Sequence, residues 1–196
     1  MPRWNSTVSK LSLALLAIAI PLLAWFLIKP LRALAPELAG MKCYPGNVCL
    51  DDSTRIEEAR ALRMEAIAFV EKNVGKLEHS PRVILCTTAA CDKTFGFTGN
   101  AAYNIGAAQL VVATRGWHPY FLRHELIHNV QVERIGGFRM WFATPTWLIE
   151  GMAYSLSEDP RRPLQEPWES YRTTYEKWAA GIPASELWSR AKALVG

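Results

Sequence analysis

The order of apolar and polar positions divides the chain into segments of different character. "LSLALLAIAIPLLAWFLI", Leu11 to Ile28, is an uncharged run bracketed by Lys10 and Lys29. Further on, Ile56, Ala59, Leu62, Ala66, Phe69, Val70 and Val74 recur at helical spacing and predict an amphipathic helix. Thr54 and Glu57 form a T-x-x-E capping box at its start, and Gly75 suits its end. "RVILC", Arg82 to Cys86, and "AQLVVAT", Ala108 to Thr114, are short β-branched runs that predict strands. "FGFTGN" between them reads as a turn-rich loop. Pro119 suits a first helical turn, and a helix is predicted from there to Ile135, with Gly136 and Gly137 ending it. Another is predicted from Thr144-Pro145 to about Leu156, and the tail from Pro167 is helical, broken at Gly181 and Pro183. This order predicts an α+β domain with a small mixed sheet.

The uncharged N-terminal run has its own logic. At about 1.5 Å per residue it nearly spans a ~30 Å hydrocarbon core, with flanking lysines reaching outward. A secretory h-region is shorter, about 7–15 residues. Ala33-Leu34-Ala35 resembles a cleavage site, but Pro36 follows it directly. The expectation is therefore an uncleaved single-pass membrane helix: a tail over 1–10, an anchor over 11–28, a Pro/Gly-punctuated linker or lead-in over 29–52, and a folded domain over 53–196. Pro21 is tolerated in a membrane helix, and Trp25 suits an interface. Arg3 and Lys10 before the run balance Lys29 and Arg32 after it, so flanking charge does not orient it.

The cysteines bear on the compartment. Cys43 and Cys49 bracket one short loop, and Cys86 and Cys91 another. Each loop can close as a local disulfide, which fits an oxidising compartment and an extracytoplasmic domain, periplasmic or extracellular. Four cysteines allow three pairings. Neither pair has C-x-x-C spacing, which argues against a zinc site there. With 196 residues, 50% hydrophobic and 20% charged, the chain is too apolar for disorder and long enough for one domain with an appendage. A net charge of +4 from scattered Lys and Arg makes no nucleic-acid footprint, and the oligomeric state is left open.

Candidate chemistry lies in "RHELIHNVQ". His124 and His128, four apart on the predicted Pro119–Ile135 helix, share one face one turn apart and can reach one metal ion. Glu125, one step round, stands where a general base would take a proton from an activated water. Chance alone produces H-E-x-x-H in about one chain of this length in two hundred, so a third ligand is needed to give it weight. The three-histidine arrangement fails, because Arg134 occupies the position of its third histidine. His118 is too near the helix start and reads as a cap. Glu150 in "TPTWLIEGMAYS" works better: it lies on the next helix among Trp147, Leu148, Ile149 and Met152, where a carboxylate needs a partner. Gly151 and Ala153 are small enough for that helix to pack closely on the histidine helix.

H-E-x-x-H followed by W-L-x-E-G-x-A, with Trp147, Leu148, Glu150, Gly151 and Ala153 in place, resembles the gluzincin metallopeptidases. It is similar to the second motif of aminopeptidase N-type enzymes over about Ala108 to Ser157. The resemblance implies a zincin-like fold with an active-site helix followed by a glutamate helix, and Zn2+ held by His124, His128 and Glu150. It also implies Glu125 as base and a peptide or protein substrate. The strand before the active-site helix, represented by Gln109, Leu110, Val111 and Val112, is implied as the edge that pairs with extended peptide. By looser analogy Tyr171 is the expected oxyanion donor. The chain departs from those relatives in Ile149, in lacking G-x-M-E-N, and in Tyr154, where thermolysin-like enzymes carry Asp. These features imply a small endopeptidase. Two other readings remain: a zinc-containing binding or assembly module without turnover, and a self-inhibited protease with the cysteine-bearing lead-in lying in its cleft.

Overall fold

A computed structural model of the chain describes residues 6–195; Arg3 and positions 1–5 of the expected tail lie outside them. Helix α1, Ser6–Leu27, carries Pro21 and exposes Leu13, Leu15, Leu16, Ile18, Ile20, Leu23 and Leu27. Among the described residues no helix is long and apolar enough to cross a membrane, so the fold does not itself support the span expected over 11–28. The side chains of Leu11, Leu22 and Phe26, part of that run, lie outside the description. Two 3-10 turns follow, Lys29–Leu34 and Pro36–Ala39.

Strands β1, Lys42–Tyr44, and β2, Val48–Leu50, come next. After a 3-10 turn at Ser53–Arg55 come α2, Ile56–Asn73, then β3, Arg82–Leu85, and α3, Ala89–Phe95. Strands β4, Ala102–Ile105, and β5, Gln109–Val112, precede α4, Pro119–Ile135. The C-terminal helices are α5, Gly137–Phe142, α6, Thr146–Leu156, α7, Trp168–Ala179, and α8, Leu187–Ala193. The fold is α+β, with one mixed five-stranded sheet in the order β1-β2-β3-β5-β4. β1 and β4 are the antiparallel outer strands, and β2, β3 and β5 run parallel.

The sheet is buried on both faces because its side chains alternate. Val48, Leu50, Val83, Leu85, Leu110 and Val112 join one core with residues of α2, α4 and α6. Cys49, Ile84 and Val111 join a second core with Ala33, Met41 and Phe95. The segment expected to be a linker over 29–52 is thus part of the sheet and its covering. A tight turn, with Gly46 at φ +92 and Asn47 at φ +58, lets β1 and β2 form a hairpin from a stretch whose Pro and Gly read as irregular. The disulfides join Cys43 to Cys49 across that hairpin and Cys86 to Cys91 between β3 and α3.

Other expectations change in detail. The Asp52 carboxylate, not the Thr54 hydroxyl, accepts the first helical amide, at 2.9 Å from Thr54 N. "FGFTGN" supplies the end of α3 and its Gly96 cap rather than only a loop, and the short β4 and α5 had no periodic signal of sufficient length. Helix α4 begins and ends as predicted, with His118 as its N-cap residue. Arg123 fixes it in place: it pairs with Glu65 of α2, reaches Glu158 beyond α6 at 3.0 Å, and lies 3.7 Å over the Phe69 ring.

Candidate metal centre

Three side chains converge where α4 meets α6. His124 and His128 stand one turn apart, their Nε2 atoms 3.1 Å from each other. Glu150, from the first half of α6, approaches both: Oε2 is 3.5 Å from His124 Nε2, and Oε1 is 3.7 Å from His128 Nε2. One ligand atom from each lies within 4.8 Å of the others, so the group can hold a metal ion. The donor set, two neutral imidazoles and a carboxylate, is suited to a borderline transition metal with a position left for a further ligand.

A buried amide orients the set. His128 Nδ1 lies 2.8 Å from Gln131 Oε1, and Gln131 Nε2 donates to the Ile149 carbonyl at 2.9 Å. Because the amide nitrogen is committed as donor, its oxygen must accept. His128 Nδ1 therefore carries the proton, and Nε2 presents its lone pair toward the group. Gln131 is fully buried and connects α4 to the turn of α6 that bears Glu150. Tyr154, one turn after Glu150, packs its ring edge-on against His124 at 4.4 Å between centroids. Its hydroxyl makes no hydrogen bond among the described residues and borders the cleft.

The electrostatics follow from burial. Burial pushes the Glu125 carboxyl up to about 7; Glu150 adds to the rise and His128 opposes it. Burial and the neighbouring His124 hold His128 below the usual imidazole range. Burial also works to raise Glu150, but its hydrogen bond to His124 and the charge of His128 outweigh that and hold it low.

The group opens into a cleft of about 560 Å³ between β4, α4, α5 and α6, with Trp168 at one wall. Glu125 lines it beside the histidines. Asn104 of β4 donates to the Glu125 carbonyl at 2.8 Å, tying the outer strand to the helix at the cleft floor.

The structure brings together His124, Glu125, His128 and Glu150, and corrects four other expectations. Gln109, Leu110, Val111 and Val112 are not at an edge: β5 is paired by β3 on one side and β4 on the other, and all four residues are buried. The edge beside the cleft is β4. Tyr171 is not among the cleft residues; it packs on Trp168 at 5.8 Å from α7, while Tyr154 is the tyrosine at the centre. Gly151 serves α7 rather than α4, since a Cβ there would meet the Tyr171 carbonyl oxygen at 2.2 Å. The Cys43–Cys49 hairpin lies at the opposite end of the sheet from β4, so the cysteine-bearing lead-in does not fill the cleft. Gln131 escaped the motif reading, and Tyr154 entered it only as a departure from thermolysin-like enzymes, although each follows a ligand by one helical turn, the spacing at which a helix places supporting groups. The comparisons with family models, curated proteins and solved structures find no match to this chain.

Proposed function

We propose that the chain is a zinc-dependent peptidase of the gluzincin type, acting as an endopeptidase on peptide or protein substrates. The observation that carries the reading is the convergence of His124, His128 and Glu150 from two helices, with Glu125 beside them in an open cleft. A bound zinc ion would supply Lewis acidity toward water and toward the substrate carbonyl. The chain's own residues supply the rest. Glu125 takes a proton from the attacking water on its carboxylate and passes it to the leaving amine. The Tyr154 hydroxyl donates a hydrogen bond to the carbonyl oxygen as charge gathers there. The outer edge of β4, unpaired among the described residues, offers backbone groups to an extended substrate, so the peptide lies along the cleft rather than entering it end-on.

The same proposal places the chain at a membrane through residues 11–28, with the folded domain outside the cytoplasm. The exposed apolar side chains of α1 and the two disulfides support this. Resistance of the full chain to alkaline extraction from membranes checks it; release into the soluble fraction refutes it.

The deciding experiment measures metal content and peptide cleavage together. Full-length protein supplemented with zinc is expected to hold about one ion per chain and to cleave peptides, with Glu125→Gln keeping the ion and losing cleavage. A wild-type chain that binds no zinc refutes the reading. One ion per chain with no turnover on a broad peptide library would identify a binding or assembly module instead.

A further inference from the structure

Helix α5 buries only Met140 and turns its aromatic side chains outward. Phe138, Trp141 and Phe142 are 77%, 78% and 77% exposed, while Met140 on the inner side is buried. Phe138 and Phe142, one turn apart, lean on each other with ring centroids 4.8 Å apart. Three neighbouring aromatic residues so exposed form a patch of the kind that marks an interaction site. Its charge is one-sided: from Arg134 to Ile149 there is no acidic residue, and Arg139 is exposed on α5 itself, with no ion pair among the described residues. Aromatic rings with a basic residue beside them are the composition of segments that settle at a lipid headgroup layer.

The chain that leaves α1 meets the domain at β4, the outer strand of the cleft that α5 also lines. The Lys29–Leu34 turn that follows α1 packs against β4 and β5, so the chain leaves α1 near the edge strand that borders the cleft. Across that cleft, Trp141 and Met140 form part of its wall. We propose that α5 docks on an anionic lipid bilayer surface, inserting Phe138, Trp141 and Phe142 at the headgroup level with Arg139 facing lipid phosphate. Docking holds the mouth of the cleft against the bilayer. If the peptidase reading is right, its substrates are then segments lying close to a membrane.

The full chain, added to nanodiscs of phosphatidylglycerol and phosphatidylcholine with acyl chains brominated near the headgroup, tests this. The eight tryptophans are resolved at one position by subtracting the spectrum of Trp141→Phe. Roughly half or more of the Trp141 emission is expected to be quenched, as for an interfacial indole, and less in discs of phosphatidylcholine alone. Phe138→Ser/Phe142→Ser, checked for native circular dichroism, is expected to lose most of that quenching. Unquenched Trp141 overturns the proposal, and so does equal quenching in anionic and neutral discs. A Trp141 shielded from acrylamide without lipid, in a particle of twice the chain mass, also overturns it by showing that a second copy covers the patch. The readout needs neither metal nor turnover, so it stands or falls separately from the peptidase reading.

Discussion

The role of Gln131 can be tested with one substitution. Gln131→Met keeps an unbranched side chain of similar length but removes both hydrogen bonds. The Ile149 carbonyl lies inside α6 and retains a helical donor, so its loss is small. His128 Nδ1 loses the side-chain acceptor that lies 2.8 Å away, in a site where Gln131 itself has no solvent exposure. An unsatisfied buried N–H costs about 1–3 kcal/mol. The ring is also free to turn or to shift its proton to Nε2, which removes the lone pair the metal group needs. Substitution of such outer partners lowers metal affinity by about 10- to 100-fold, or ~1.4–2.7 kcal/mol, in line with the hydrogen-bond figure. The assay is competition for zinc against a chromophoric chelator, run beside urea unfolding in the apo state. The expected result is a 10- to 100-fold weaker zinc affinity in a protein that remains folded. A folded Gln131→Met that binds zinc as tightly as the wild type would show that Gln131 is only packing.

Three further outcomes are expected. Gly151→Ala sets a methyl group against the Tyr171 carbonyl, and a backbone atom cannot yield as a side-chain tip can. Overpacking of about 1–3 kcal/mol or more exceeds the helix-propensity gain of ~1 kcal/mol, so a loss of ~2 kcal/mol and a melting temperature about 4–8 °C lower are expected; an unchanged or higher midpoint would refute the contact. Replacing Cys43 and Cys49 together with serine opens a crosslink between residues six apart, and chain entropy sets the cost at about 2 kcal/mol in denaturant unfolding. Tyr154→Phe keeps the ring against His124 and removes only the hydroxyl, so zinc binding should persist while kcat falls by about 10²-fold; an unchanged kcat removes Tyr154 from the proposed chemistry.

Local periodicity was enough to mark α2, α4, α6, β3 and β5, since long amphipathic helices and β-branched runs carry their structure in neighbouring residues. It also put His124, Glu125 and His128 on one helix with the two histidines side by side, because a separation of four on one helix is itself a distance in space. Glu150 was legible as a charged residue in an apolar segment. β1, β2 and β4 were not legible. They are three or four residues long, and only pairing with distant strands makes them strands.

Strand order is the clearest case of a tertiary decision. Gln109 to Val112 read well as the strand that precedes α4 in the chain, and it is; nothing local states whether another strand pairs outside it. Its outer neighbour proved to be Ala102–Ile105, so the open edge moved to a segment that looked like loop. The same holds for the side chains around the histidines. Tyr154 and Tyr171 are both tyrosines on helices that follow the motif; only the packing of α6 on α4 puts Tyr154 against His124, while Tyr171 packs on Trp168, three residues before it on α7. Sequence by itself determined which residues can bind a metal and which helices carry them, because helix geometry converts spacing into direction. The close fit of α6 on α7 at Gly151, the orientation of His128 by Gln131 and the exposed face of α5 were decided by tertiary packing, which joins residues that local sequence leaves independent.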